Sequence, residues 1–312
     1  MRKIFSWLII VIIGIGALCY IRKHPEEFSF LRTLSFADIA TLFTISLVIM
    51  FFMGLKTKIY MTYFGARLRF VEWFGLEFVA SLINYLPLRG GFLSKALYLK
   101  KHYDVPYVHF TTFLTALNLI TLFCLGIVGL LSMGILAIRY SIHNFILSML
   151  LGTSIAVALL IFFFPFKIVQ KKSQSRWISF IVELIQEWNT LKKSKSTVCK
   201  LFLAEVAIIL SGAAKVYFLF KIIALPLAFF ACIIVSSFSS LSTFVPFIPA
   251  SLGVKEAAMS ITASVIGSSL KEGIVVSLID RAIAMIVLFL FGGLFFYALF
   301  GKKARIRDVL PS

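Results

Sequence analysis

Five stretches of this chain run for about 20 residues or more with scarcely a charge: about 37–55, 107–138, 142–166, 199–220 and 272–300. A helix needs about 20 apolar residues to cross the ~30 Å hydrocarbon layer of a bilayer. Lipid offers no partner for backbone N–H and C=O groups, so such stretches fold as helices that satisfy those groups internally. The sequence therefore predicts an all-α, polytopic integral membrane protein. A sixth span is expected at 4–20, behind Arg2 and Lys3. Leu18 precedes Cys19 where a lipoprotein signal needs a small residue, and no A-x-A site follows, so this segment reads as a retained helix.

The composition agrees. The 312 residues are 61% hydrophobic and include 34 Phe. Only 14% are charged, against about a quarter in soluble domains. A soluble enzyme, a secreted disulfide scaffold and a nucleic-acid-binding domain are excluded as readings of the whole chain. The net charge is +18, from 31 Lys+Arg against 13 Asp+Glu. In a membrane protein this excess belongs to cytoplasmic loops and anionic headgroups, and no nucleic-acid partner is expected. Cys19, Cys124, Cys199 and Cys232 share no metal-ligand spacing, and the four histidines form no HExxH. No G-x-S-x-G or P-loop is present. The expectation is no enzyme, no cofactor and no metal.

Two segments depart from plain spans. Residues 71–86 are apolar but carry Glu72, Glu77 and Asn84, then break at Pro87-Leu88-Arg89-Gly90-Gly91 and continue as a more polar helix over 92–101. Residues 227–270 turn hydroxyl-rich at Ser236, Ser237, Ser239, Ser240, Ser242 and Thr243, break at Pro246-Phe247-Ile248-Pro249, and continue over 254–269. A Pro/Gly break at membrane depth is tolerated only where protein or a wet cavity satisfies the freed backbone, as in a re-entrant hairpin. The breaks resemble each other, with Pro87, Gly90, Gly91 and Lys95 paralleling Pro249, Gly253, Lys255 and Glu256. Each lies between long apolar segments. The pattern predicts six full spans and two hairpins, or six to eight helices by ordinary counting. A first half-repeat covers 37–138, a basic connection 167–198 and a second half-repeat 199–300, within one transmembrane domain over 1–312.

Suppose the N-terminus is cytoplasmic and each hairpin returns to its own side. Cytoplasmic segments then hold 20 of the 31 Lys+Arg, among them Lys56 and Lys58, and outer segments hold 6. The positive-inside rule asks for that asymmetry. Both termini are cytoplasmic, the protein sits in the cytoplasmic membrane, and the half-repeats are inverted, as in transporters with a central binding site. In the 167–198 connection, Trp177, Ile181, Leu184, Trp188 and Leu191 form one apolar stripe at helical spacing. It fits a helix lying on the cytoplasmic leaflet or a linker helix packed on the bundle.

Ionisable groups at membrane depth are expensive, and each is a functional-site hypothesis. Glu77, Ser81 and Asn84 share a helical face at i, i+4 and i+7. Arg89 and Lys95 follow the first break, and Lys255 and Glu256 follow the second. Asp280-Arg281 lies inside the last apolar run, and Glu205 and Lys215 inside the run from 199 to 220. A helix opening after each break would aim its N–H groups and positive dipole end at the cavity. With Arg89, Lys95, Lys255 and Arg281 as substrate-binding residues, that cavity would attract a phosphate headgroup. Glu77, Glu256 and Asp280 would pair with them or carry a coupling proton. Internal pairing that only fixes helix packing is the plain alternative. Ser81, Asn84, Ser236 and Ser240 form a polar cavity face, or, for the serines, a surface for close helix packing.

The run Leu86-Pro87-Leu88-Arg89-Gly90-Gly91 with Lys95, and the run from Phe247 to Glu256 followed by Asp280-Arg281, resemble the two motifs of the lysylphosphatidylglycerol synthase transmembrane-region family, also called flippase-like. Ala250-Ser251 stands where that family is Gly-rich, and Ala116-Leu117-Asn118 where charged residues are often found. The resemblance implies the lipid-translocating portion without a soluble aminoacyl-transfer domain. The expected function is movement of a phospholipid, or a polyprenyl-phosphate-linked lipid, across the membrane. The expected partners are anionic or polyprenyl-linked lipids and, possible in addition, envelope-biosynthesis enzymes. The alternative is a non-transporting membrane subunit that supports such an enzyme.

Overall fold

The computed structural model describes residues 35–85, 90–163, 176–244 and 251–300, with the backbone alone for 176–181. The expected span 4–20, Pro87, Arg89 and Pro249 lie outside the described residues. The described residues are helical. The helices are α1 (Phe36–Tyr63), α2 (Phe70–Ile83), α3 (Gly91–Tyr103), α4 (Tyr107–Tyr140), α5 (Phe145–Phe163), α6 (Arg176–Lys193), α7 (Lys195–Ile222), α8 (Phe229–Leu241), α9 (Val254–Val265) and α10 (Leu270–Phe300).

Five of them, α1, α4, α5, α7 and α10, are long and apolar enough to cross a membrane. α1 starts at a capping box, in which the Ser35 hydroxyl accepts from the Asp38 N–H while Asp38 reaches back to Ser35. Its 28 residues rise about 42 Å at 1.5 Å each. By contrast α2, with 14 residues, rises about 21 Å. α3, α8 and α9 are shorter still, so none of these four crosses the layer alone.

The short helices pack as two pairs, α2 with α3 and α8 with α9. Each pair follows a long helix and precedes another. α2 also lies along α10, and α8 lies along α4, while α1 and α7 share the most extensive seam. The core falls into two large apolar clusters and a small third one at Val79 and Ile83. Of the large two, one gathers Tyr60, Trp73, Leu99, Phe113 and Leu201, and the other Leu42, Phe78, Leu136, Phe220 and Met259.

α6 is packed on the bundle rather than stranded on a membrane surface. Trp188 and Leu191 are buried in the first cluster. Glu187 pairs with His109 and accepts from the Thr112 hydroxyl of α4. Lys192 donates to the Phe162 carbonyl near the end of α5, and its ammonium lies 5.8 Å from the Trp188 ring centre.

The helix lengths carry a regularity. The series α1, α2, α3, α4 and the series α7, α8, α9, α10 have matching lengths in the same order. Helix starts in the second series trail those in the first by 159 residues for the first two members and 163 for the last two. The added four residues fall at the second break.

Candidate functional site

At the first break, α2 and α3 approach so closely that the chain has no space for a side chain at residue 91. A Cβ on Gly91 would sit 1.9 Å from the Ala80 carbonyl oxygen. The Gly91 N–H, one of the free donors that open α3, is taken by the Asn84 side-chain oxygen at 3.0 Å. Below this crossing, Lys95 Nζ of α3 meets Glu77 Oε1 of α2 at 2.6 Å. The Thr57 hydroxyl of α1 donates to the same oxygen at 2.6 Å. Both charged side chains are sealed, at 5% and 6% exposure. Farther along, Glu72 accepts from Tyr98 at 3.1 Å and from Tyr103 at 2.5 Å. Burial, with the hydrogen bond to Glu72 next, pushes the Tyr103 hydroxyl up to about 12, so it remains a donor at neutral pH.

At the second break the chain turns through Ser251 (φ 52) and Gly253 (φ 81). The left-handed backbone at 253 favours glycine. From there, two successive residues of α9 pair with two successive residues of α10. Lys255 Nζ meets Asp280 Oδ2 at 2.5 Å, and Arg281 Nε donates to Glu256 Oε1 at 2.5 Å. Lys215 of α7 reaches Asp280 Oδ1 at 2.6 Å. Glu256 Oε2 also accepts the Gly253 N–H at 2.8 Å. Tyr85, at the end of the first hairpin's α2 arm, faces Arg281. One guanidinium therefore touches both hairpins.

This second cluster is more open than the first. The Lys255 side chain is 29% exposed and Glu256 17%, while Asp280 and Arg281 are buried. Among the described residues it holds three cations (Lys215, Lys255, Arg281) and two carboxylates (Asp280, Glu256), a surplus of one positive charge.

The structure thus joins Lys95 to Glu77, and Lys255, Asp280, Glu256 and Arg281 to one another. Asn84 serves the break itself. Ser81 is half-buried on α2 beside them. Ser236 and Ser240 are placed differently. The Ser236 Oγ lies 2.5 Å from where a Cβ of Gly212 would be, and Ser240 Oγ donates to the Ser236 carbonyl. Here Gly212 leaves room for Ser236 where α7 and α8 approach closely.

Two partners escaped the sequence. Lys56, counted above as a cytoplasmic basic residue, is buried inside α1 and pairs with Glu205 of α7 at 2.5 Å. The fall in hydropathy at Lys56 and Lys58 imitates the end of a span, but Glu205 neutralises the ammonium and the helix runs on to Tyr63. Lys215 was visible as a buried charge without its role as the second cation on Asp280. Aligning the two helix series would have linked them, because Lys56 and Lys215 occupy the same position in α1 and α7.

A family model, described as the lysylphosphatidylglycerol synthase TM region, matches residues 7–292. The chain belongs to this family. Both hairpin regions, four of the five long apolar helices and most of α10 lie within the match. Membership makes it a multi-pass membrane protein of a family linked to lipid modification or flipping. Comparison with curated proteins finds no significant match.

Proposed function

We propose that this lysylphosphatidylglycerol synthase TM-region protein translocates a phosphate-bearing lipid across the cytoplasmic membrane, and that the cluster behind the second break holds the headgroup. The substrate class is a phospholipid or a polyprenyl-phosphate-linked lipid. The step is transport, without a covalent reaction. Its partners are membrane lipids and the envelope-biosynthesis enzymes that make or use them.

The observation that carries this reading is the surplus cation at Lys215, Lys255, Asp280, Glu256 and Arg281. Charge at membrane depth is costly unless matched, and a monoanionic headgroup would balance the surplus that the described residues carry. Arg281 suits it best, because a guanidinium offers a planar fork of donors to a phosphate. The repeated series of helix lengths supports two half-repeats, each a span, a re-entrant hairpin and a span. The positive-inside count supports their opposite orientation, with both termini cytoplasmic. Two inverted halves around a shared site give alternating exposure of the headgroup.

Reconstitution of the purified protein in liposomes, with a labelled phosphate-headgroup lipid, tests this. Wild type is expected to move the lipid. Arg281→Ala is expected to abolish movement per inserted molecule, and Arg281→Lys to restore little of it. Normal movement by Arg281→Ala removes the cluster from the mechanism. No movement by wild type alone favours the non-transporting subunit.

A further inference from the structure

Glu256 is the third residue of α9 and lies beside the break. Its two carboxylate oxygens take two donors that meet from different elements. One is the Gly253 N–H at the opening of α9, at 2.8 Å. The other is Arg281 Nε of α10, at 2.5 Å. A phosphate oxyanion would use the same pair, the N–H groups and positive end of a helix and a charged guanidinium. The carboxylate is also the right size, with two oxygens on one planar head.

The neighbouring pair does not share this property. Asp280 is gripped by two lysines from two helices and is buried. Glu256 is partly exposed and sits on a longer, more flexible side chain near Gly253. The first hairpin offers the contrast. The equivalent opening of α3 is filled by the neutral amide of Asn84, and no carboxylate stands there.

We infer that Glu256 is a resident stand-in for the substrate, a carboxylate that occupies the anion site and must swing away when a phosphate enters. The inference rests on the proposed headgroup site and names how that site is kept closed when empty. Displacement also frees the Arg281 contact that spans the two hairpins, so headgroup binding and loosening of the hairpins become one event. A plain helix cap is the competing role, and glutamine separates the two. A Gln side chain keeps a cap on the Gly253 N–H but gives up the charge that competes with phosphate.

The test uses the full chain in phosphatidylcholine nanodiscs, titrated by calorimetry with dihexanoyl phosphatidic acid and, separately, with inorganic phosphate. Glu256→Gln is expected to tighten the lipid probe by about tenfold, the scale of one charge-assisted hydrogen bond. Tightening for both probes supports a site that reads the phosphate alone, and tightening for the lipid probe only supports one that also reads the glyceryl ester. Glu256→Asp, whose shorter arm cannot span both donors, is expected to tighten less than Glu256→Gln, and it serves as the test if the Gln variant does not insert. Unchanged or weaker binding in both variants overturns the inference. So does equal tightening by Glu272→Gln, which removes a carboxylate near the start of α10 without vacating the site. Tightening in a protein that moves no lipid leaves the stand-in in place and removes transport. Transport by wild type with unchanged affinity in the variants removes the stand-in alone.

Discussion

The two hairpins are built to nearly the same lengths, arms of 14 and 13 residues against 13 and 12, and finished with different chemistry. Among the described residues the first is balanced. Glu77 and Lys95 close on each other, Asn84 fills the helix opening, and Gly91 locks the arms against Ala80. The second, among the described residues, carries one cation in surplus, a left-handed turn in place of a tight crossing, and side chains that reach solvent-accessible space. At the spacing that relates the series, Asp280 and Arg281 correspond to Leu117 and Asn118. Likewise Glu77 corresponds to Ser236. Where the halves agree, they agree in helix length. Where they differ, they differ in the buried charge of the described residues, the difference on which the proposed headgroup site rests.

Breaking the crossing should have the largest effect. Gly91→Ala puts a methyl into a backbone carbonyl, and a loss of more than ~3 kcal/mol is expected, because neither helix can yield without moving its neighbours. Thermal unfolding in detergent and the inserted protein level should both fall. A near-normal melt would show that the first hairpin is not a rigid crossing.

Removing the shared carboxylate comes next. Asp280→Asn leaves Lys215 and Lys255 facing each other at depth, at an expected cost of about 3–5 kcal/mol. Lys215→Met in the same chain should recover much of it, read as restored inserted protein.

The first hairpin should tolerate exchange of its charges for apolar bulk. Lys95→Met alone strands Glu77 and should cost about 3 kcal/mol, whereas Lys95→Met with Glu77→Met should return to within about 1 kcal/mol of wild type. Lipid movement per inserted molecule should survive in the double variant. Its complete loss would make the first pair part of the site and erase the contrast. The smallest effect is expected at Gly253→Ala, about 1–2 kcal/mol for a left-handed non-glycine residue, seen as a modest drop in melting temperature.

Much of the fold is legible in the chain because a bilayer leaves few choices. Apolar length gives the five long helices, and Pro and Gly at 87–91 and 246–253 give the breaks. The stripe that ends in Trp188 and Leu191 gives α6 as a helix. That stripe left open what it faces, since a membrane surface and a protein core ask for the same residues. The pairing of charges is less legible. Lys255 with Asp280 and Glu256 with Arg281 lie 25 residues apart in sequence, and only the antiparallel packing of α9 on α10 sets that register. Lys56 was hidden for a further reason. A lysine at the edge of an apolar run looks like a loop until Glu205, 149 residues away, is seen beside it.

α6 and α7 meet at a single residue, Ser194, with α6 ending at Lys193 and α7 starting at Lys195. Because Glu187 fastens α6 to α4 and Trp188 packs on Phe162 of α5, that joint has no slack to absorb. A tilt of α7 must then be taken up at Ser194 or passed on as torque through the Trp188 ring. α6 acts as a stiff crank between α4 and α7, and a flexible Gly-Ser stretch put in place of Ser194 would let the two tilt independently.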